Sequence, residues 1–318
     1  FETTPFDKIK TEHYEPAFQR GIDELKKDID NITNNPKPAT FENTIVALER
    51  SGKLLNRVSG AFFNVLSANA NDEMMEISQR VSPSLTESSN YIYLNEKLFN
   101  RVKAVYDQRA SLNLNTEDAK LLEETFRSFQ EKGANLNSAD KEKYKELTKE
   151  LSLLTLQFDQ NSLKDQNRFE MLLTDQKEVA GLPESALDAA KFAAKEKGKE
   201  GWLFTLDAPS YGAFVKYADS RDLREKMYKA FMSVGNKGDE YDNQEIIRKI
   251  VNDRLAIAKL MGYPNYAAFE LSHKMAKNSE NVYKLLNQLL DAYKPVAINE
   301  YNAVQGFAIG KEQQNIVV

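Results

Sequence analysis

Histidine offers the quickest test for chemistry here, and the 318-residue chain has two, His13 and His273. A hydrolytic zinc site needs three protein ligands and an open position for water. Its commonest helical form is HExxH, in which two histidines one turn apart bind the metal and the glutamate acts as base. The two histidines are far apart in sequence, so no HExxH exists between Phe1 and Val318. Glu270 and His273 stand three apart, a spacing that puts both on one side of a helix. One such pair supplies too few ligands, and we read both as ordinary surface or partly buried side chains. His13 sits between Glu12 and Glu15, acids that a helix dipole explains at a helix start.

Other chemistries lack their parts. Cysteine is absent, which removes disulfides, thiolate nucleophiles, zinc ribbons and iron–sulfur sites. There is no G-x-S-x-G elbow, no GxxxxGK[ST] loop and no GxGxxG after a strand. A Ser–His–Asp triad would have to be built from two scattered histidines. Carboxylate pairs such as Asp239-Glu240 and Glu123-Glu124 read as solvated faces in a chain that is 29% charged. Tyr211, Phe214, Tyr217, Tyr228 and Phe231 read as core aromatics, with residues 202–217 the best candidates to approach a substrate. The residues alone therefore assign no catalytic, cofactor-binding or metal position to this chain.

The elements that would position any site are helical. Tyr144, Leu147, Leu151, Leu154 and Phe158 alternate spacings of three and four on a helix expected to start near Ser138. Run to Leu163, it would be roughly 40 Å long. Ile45, Leu48, Leu55, Phe62 and Leu66 make a second stripe; Gly52 and Gly60 inside it predict a break or a close helix approach. Further helices are expected at about 12–34, 72–94, 95–110, 117–133, 184–197, 210–218, 221–234, 241–261, 264–275 and 279–309. Thr116 is expected to cap one helix, Gly262 to end another, and Pro264 to lie in the first turn of the next. Pro83 and Pro295 should kink or split theirs. Residues 169–173 and 202–206 read as strands of a small ribbon with a helix in its connection. No repeat of 30 to 45 residues and no Gly/Ser/Pro-rich linker occurs, so we expect one continuous helical unit.

The net charge of −5 and pI near 5.4 argue against nucleic acid as a partner, and no apolar run is long enough for a membrane helix. Residues 1–5 do not read as a signal peptide, and the chain does not begin with Met. A cytoplasmic location is expected, or a periplasmic one if a signal was removed upstream of Phe1.

Several stretches, in order, carry a resemblance. FDKIKTEHYEPAF (6–18), FENTIVALERSGKLLNRVSGAFFNVLSANANDE (41–73), YIYLNEKLFNRVKAVYDQR (91–109), RDLREKMYKAF (221–231) and MGYPNYAAFELSHKMAKNSENV (261–282) together resemble the M3, thimet-oligopeptidase-like, zinc peptidases. The third stretch is more similar to the bacterial peptidyl-dipeptidase Dcp branch than to the oligopeptidase A branch. The resemblance implies a mainly α, two-lobed ellipsoid with a deep channel that admits short or unfolded peptides. It implies zinc on an HExxH helix with a distant third Glu, all in the C-terminal half, and release of dipeptides from peptide C-termini.

Residues 1–318 would then be a large multi-helical N-terminal lobe with long antiparallel helices and a two-stranded element near 168–207. Truncated before the HExxH lobe, the chain would be inactive by itself, with zinc ligands only in the full-length protein. Its partners would be a short peptide substrate and the missing C-terminal catalytic lobe. The tail Asn315-Ile316-Val317-Val318 reads as an interruption, and an exposed apolar patch is expected. Two other classes remain: a stand-alone helical binding or scaffold protein, and a metal-storage bundle. The latter needs paired Glu-x-x-His motifs where one occurs.

Overall fold

Residue spacing builds the first helix, α1 (Tyr14–Thr33), whose Tyr14, Phe18, Ile22, Leu25, Ile29 and Ile32 are all buried on one face. In the computed structural model, which describes residues 3–312, that face packs against α3 (Lys53–Asn69) and α4 (Asp72–Tyr93). Tyr14 and Phe18 meet Phe62 edge to face, with ring centroids 4.9 and 5.3 Å apart. A Cβ on Gly21 would stand 2.9 Å from the Leu55 Cα, so this close approach of α1 and α3 requires glycine. Between them a π-helical stretch (Phe41–Val46) and a short α2 (Ala47–Glu49) end at Gly52, whose φ is +64°. The expected break therefore falls at Gly52, while Gly60 lies inside an unbroken α3 with open space around it.

α5 (Glu96–Asp107) and α6 (Thr116–Glu131) complete this core, and α7 (Ser138–Asn167) packs on α4. At 30 residues α7 is about 45 Å long. Its cap is Asn137 rather than Ser138, and that of α6 is Asn115 rather than Thr116. In each case the Asn side chain accepts the N–H of an aspartate three residues on, so the better acceptor sits one position earlier than expected. Pro83 does not split α4, which buries Val81 and Ser88 on either side of it.

The ribbon forms as expected but shorter: β1 (Met171–Leu173) pairs antiparallel with β2 (Trp202–Phe204), with α8 (Glu184–Glu196) in the connection. With α9 (Ala208–Tyr217) and α10 (Arg221–Met232) it encloses a second core of Met171, Leu173, Phe204, Leu206, Phe214 and Met227. α11 (Gln244–Leu260) follows, and its Ile246 and Ile250 meet Leu154 of α7.

The chain divides into two compact units, residues 1–254 and 255–318. The second contains α12 (Tyr266–Leu271) and α13 (Ser279–Glu312). Gly262 takes φ +83° after α11, as a helix-ending glycine should. Pro264 lies before the Asn265 cap instead of in the first turn of α12, because the Asn side chain accepts the Ala268 N–H and so sets the start. Pro295 lies inside α13 without ending it. The tail Asn315-Ile316-Val317-Val318 lies outside the described residues. Among the described residues no helix is long and apolar enough to cross a membrane.

Candidate functional site

The residues flagged for chemistry do not converge. The helix expected over 264–275 stops at Leu271, so Glu270 is helical while His273 lies in the following turn, and both are exposed. Their three-residue spacing thus loses the helix that would have aligned them: from Ser272 on, the backbone turns on bonds three residues back, Ser272 N–H to the Phe269 carbonyl and Lys274 N–H to the Leu271 carbonyl. His13 closes a 3₁₀ turn; its Nδ1 accepts the Lys10 N–H at 3.1 Å and its Nε2 lies 3.9 Å from Glu12. Among the described residues no three His, Cys, Asp or Glu side chains group as a metal site.

Two readings of the acids and aromatics need correction. Asp239 is not simply solvated: it pairs with Arg168, which holds its carboxyl below the usual carboxylate range. Glu124 pairs with Lys120 at 2.6 Å and with Arg127. Of the aromatics at 211–231, Phe214 is fully buried and Tyr211 stacks on Phe231 at 4.2 Å, but Tyr217, Tyr228 and Phe231 are exposed. Helices as short as α9 and α10 each bury one face, and these rings lie off it. Burial, then the neighbouring Tyr228, pushes the Tyr211 hydroxyl pKa up.

Sequence reasoning missed a polar seam. The apolar stripe of α7 continues past Phe158 as Gln160, Asn161 and Asp165, all buried. Gln160 donates to the Met75 carbonyl and Ser78 Oγ of α4 at 3.1 and 3.2 Å, and accepts from Gln79 at 2.5 Å. Asn161 donates to Asn243 Oδ1 at 3.1 Å, and Asn243 donates to the Phe158 carbonyl and Ser162 Oγ at 3.1 and 3.0 Å. Asp165 is fully buried and accepts from Gly235 N–H, Lys237 Nζ and Arg168 Nε at 2.7, 2.8 and 2.7 Å. Burial alone would raise its pKa. Lys237, the Gly235 N–H and Arg168 outweigh that and hold it below the usual range. The signal available in sequence was the stripe's own spacing, carried on by Asn161 and Asp165.

The other unusual surface is α13. Tyr283, Leu285, Leu290, Tyr293, Val304 and Phe307 are each more than half exposed, and six more large apolar side chains of the helix are exposed as well. Lys284, Asp291, Lys294 and Glu300 interrupt this surface, yet so many exposed large apolar side chains on one helix are the kind of surface that marks an interaction site.

Comparison with known proteins points to one family. Residues 214–316, which include α13, match peptidase family M3. The chain is 37% identical to the dipeptidyl carboxypeptidase of Escherichia coli K12 over 97% of its own length and 45% of the relative's. It is 34% identical to that of Salmonella typhimurium LT2, over 98% of the chain and 46% of the relative. Identity to the oligopeptidase A of Escherichia coli K12 is 32%, over 97% of the chain and 46% of the relative. The chain spans about half the length of the curated relatives it matches. Related along nearly its whole length to these peptidases, and carrying the family's own segment at residues 214–316, the chain belongs to peptidase family M3.

Proposed function

We propose that this chain is the N-terminal, channel-wall half of a zinc-dependent peptidyl-dipeptidase that releases dipeptides from the C-termini of short peptides, in the cytoplasm. The observation that carries the reading is the 37% identity to a dipeptidyl carboxypeptidase that the chain spans for 45% of its length. The exposed apolar side chains of α13 support it, since they are the surface that a further catalytic lobe would cover. Rigid packed helices such as α1, α4 and α7 suit a wall that excludes folded proteins, and closure of a second lobe would expel water from the reacting peptide.

The donors of this chain do not fit zinc. Its two histidines are exposed, lie in separate regions of the sequence, and join no cluster of three ligands among the described residues. No catalytic step is therefore assigned to them, and the metal's ligands would belong to the other half.

The test is a peptidase assay on a short N-blocked peptide with a free C-terminus, with added zinc and with a chelator. The 318-residue chain alone should release nothing. The same chain continued with the remaining half of a dipeptidyl carboxypeptidase should release dipeptides until the chelator is added. Chelator-sensitive release by the chain alone would overturn the reading and make Glu270 and His273 the first residues to change. An inactive continued chain that still bound peptides would favour a helical binding protein instead.

A further inference from the structure

Within residues 14–131, α1, α3, α4 and α6 surround a cavity of about 600 Å³ that the peptidase reading does not use. Its apolar lining includes Leu25, Leu55, Leu85, Ile92 and Phe129. Ser59, Ser89, Thr125 and Ser128 also line it, and their hydroxyls bond to no described residue. None of the four is an orphaned buried atom.

The charge of the lining has one sign. Glu49 and Glu124 contribute carboxylates, and no Lys, Arg or His lines the cavity. Glu124 is already held by Lys120 and Arg127, whereas Glu49 makes no ion pair with a described residue. The position of Glu49 is set by the turn that follows α2. Ser51 Oγ donates to the Leu48 carbonyl at 2.6 Å, and the Gly52 N–H donates to Asp28 Oδ2 at 3.1 Å. Gly52 itself, at φ +64°, holds a left-handed conformation that strains any other residue, and a Cβ there would push on Leu25 Cδ1 at 2.9 Å.

An anion would meet the Glu49 carboxylate, which has no ion-pair partner, and Coulomb repulsion disfavours that. A wholly apolar ligand would make no use of the Glu49 carboxylate or the hydroxyls. We propose that this cavity binds a small primary amine with an apolar body. The ammonium sits on Glu49, its remaining N–H donors go to the lining hydroxyls, and the apolar body lies against the lining leucines. An ammonium has three donors and no acceptor, which matches one carboxylate flanked by hydroxyl oxygens.

The experiment titrates three probes into the 318-residue chain by calorimetry, with chemical-shift mapping of residues 49–59 and 121–129. Leucinamide carries the amine and the isobutyl group, N-acetyl-leucinamide lacks the amine, and leucine adds a carboxylate. Leucinamide should bind at least about tenfold more tightly than the other two, the scale of one charge-assisted hydrogen bond. Glu49→Gln, an exposed change that leaves melting unaltered, should erase that preference; Ser128→Ala should weaken leucinamide several-fold. Equal binding of all three probes, no leucinamide binding at millimolar concentration, or a preference untouched by Glu49→Gln would overturn the proposal. The readout needs no peptidase activity, so it stands or fails separately from the function proposed above.

Discussion

Two aspartates in the same helix packing make opposite bargains with burial. Asp165 of α7 is fully buried, and its carboxylate accepts from Gly235, Lys237 and Arg168. Asp253 of α11 follows Ile246 and Ile250 on the spacing that faces α7, yet its buried Oδ2 has no hydrogen-bond partner. Burial first, and then the Glu150 carboxylate of α7, push the Asp253 pKa above the ordinary range, with Lys249 opposing. The difference teaches that the depth of a buried charge decides little. What decides is how many donors the chain delivers to it, and Asp165 receives them because the 235–243 loop folds back onto α7.

The comparison has opposite signs in pH. A carboxyl whose folded pKa is lowered contributes stability above its unfolded pKa and loses it as pH falls through the folded value; this is Asp165. A carboxyl whose folded pKa is raised contributes stability below its unfolded pKa and loses it as pH rises through the folded value; this is Asp253.

The largest expected effect comes from breaking the satisfied member. Asp165→Ala should cost about 3 kcal/mol at pH 7, because it strands the Gly235 N–H and leaves Lys237 and Arg168 facing a cavity; urea unfolding would measure it. That loss should shrink as pH falls below the ordinary carboxylate range. Asn243→Ala is next, at about 2 kcal/mol by the same method, since it removes the bonds to Asn161, Phe158 and Ser162. The smallest effect has the other sign. Asp253→Leu should stabilise by about 1 kcal/mol at pH 7, because an orphaned acceptor gives way to an apolar side chain beside Ile250. Its gain should disappear in thermal melts at acid pH, where Asp253 is already neutral. A destabilised Asp253→Leu would mean that a partner of this carboxylate has gone unrecognised.

Much of the fold was legible in the chain. Strict spacings of three and four, as in Tyr144 to Phe158, place helices whatever surrounds them, because the periodicity belongs to the backbone. The ribbon was visible for the same reason, as two short apolar runs bounded by turn residues. Helix ends were less legible: Asn115, Asn137 and Asn265 won their caps over adjacent candidates, a choice made by local hydrogen-bond geometry. Neither proline within a helix splits it: α4 runs on past Pro83 and α13 past Pro295.

The sequence by itself determined the element order, the scarcity of metal donors and the membership of an M3 peptidase family, because composition, period and ordered motifs are properties of the chain alone. Only the tertiary structure decided that Asp165 is satisfied and Asp253 is not, and that Glu49, Ser59, Ser89, Thr125 and Ser128 line one cavity. It also decided that α13 leaves its large apolar side chains uncovered. Each of these depends on which residues, distant in sequence, supply or fail to supply a partner, and local spacing carries no information about that.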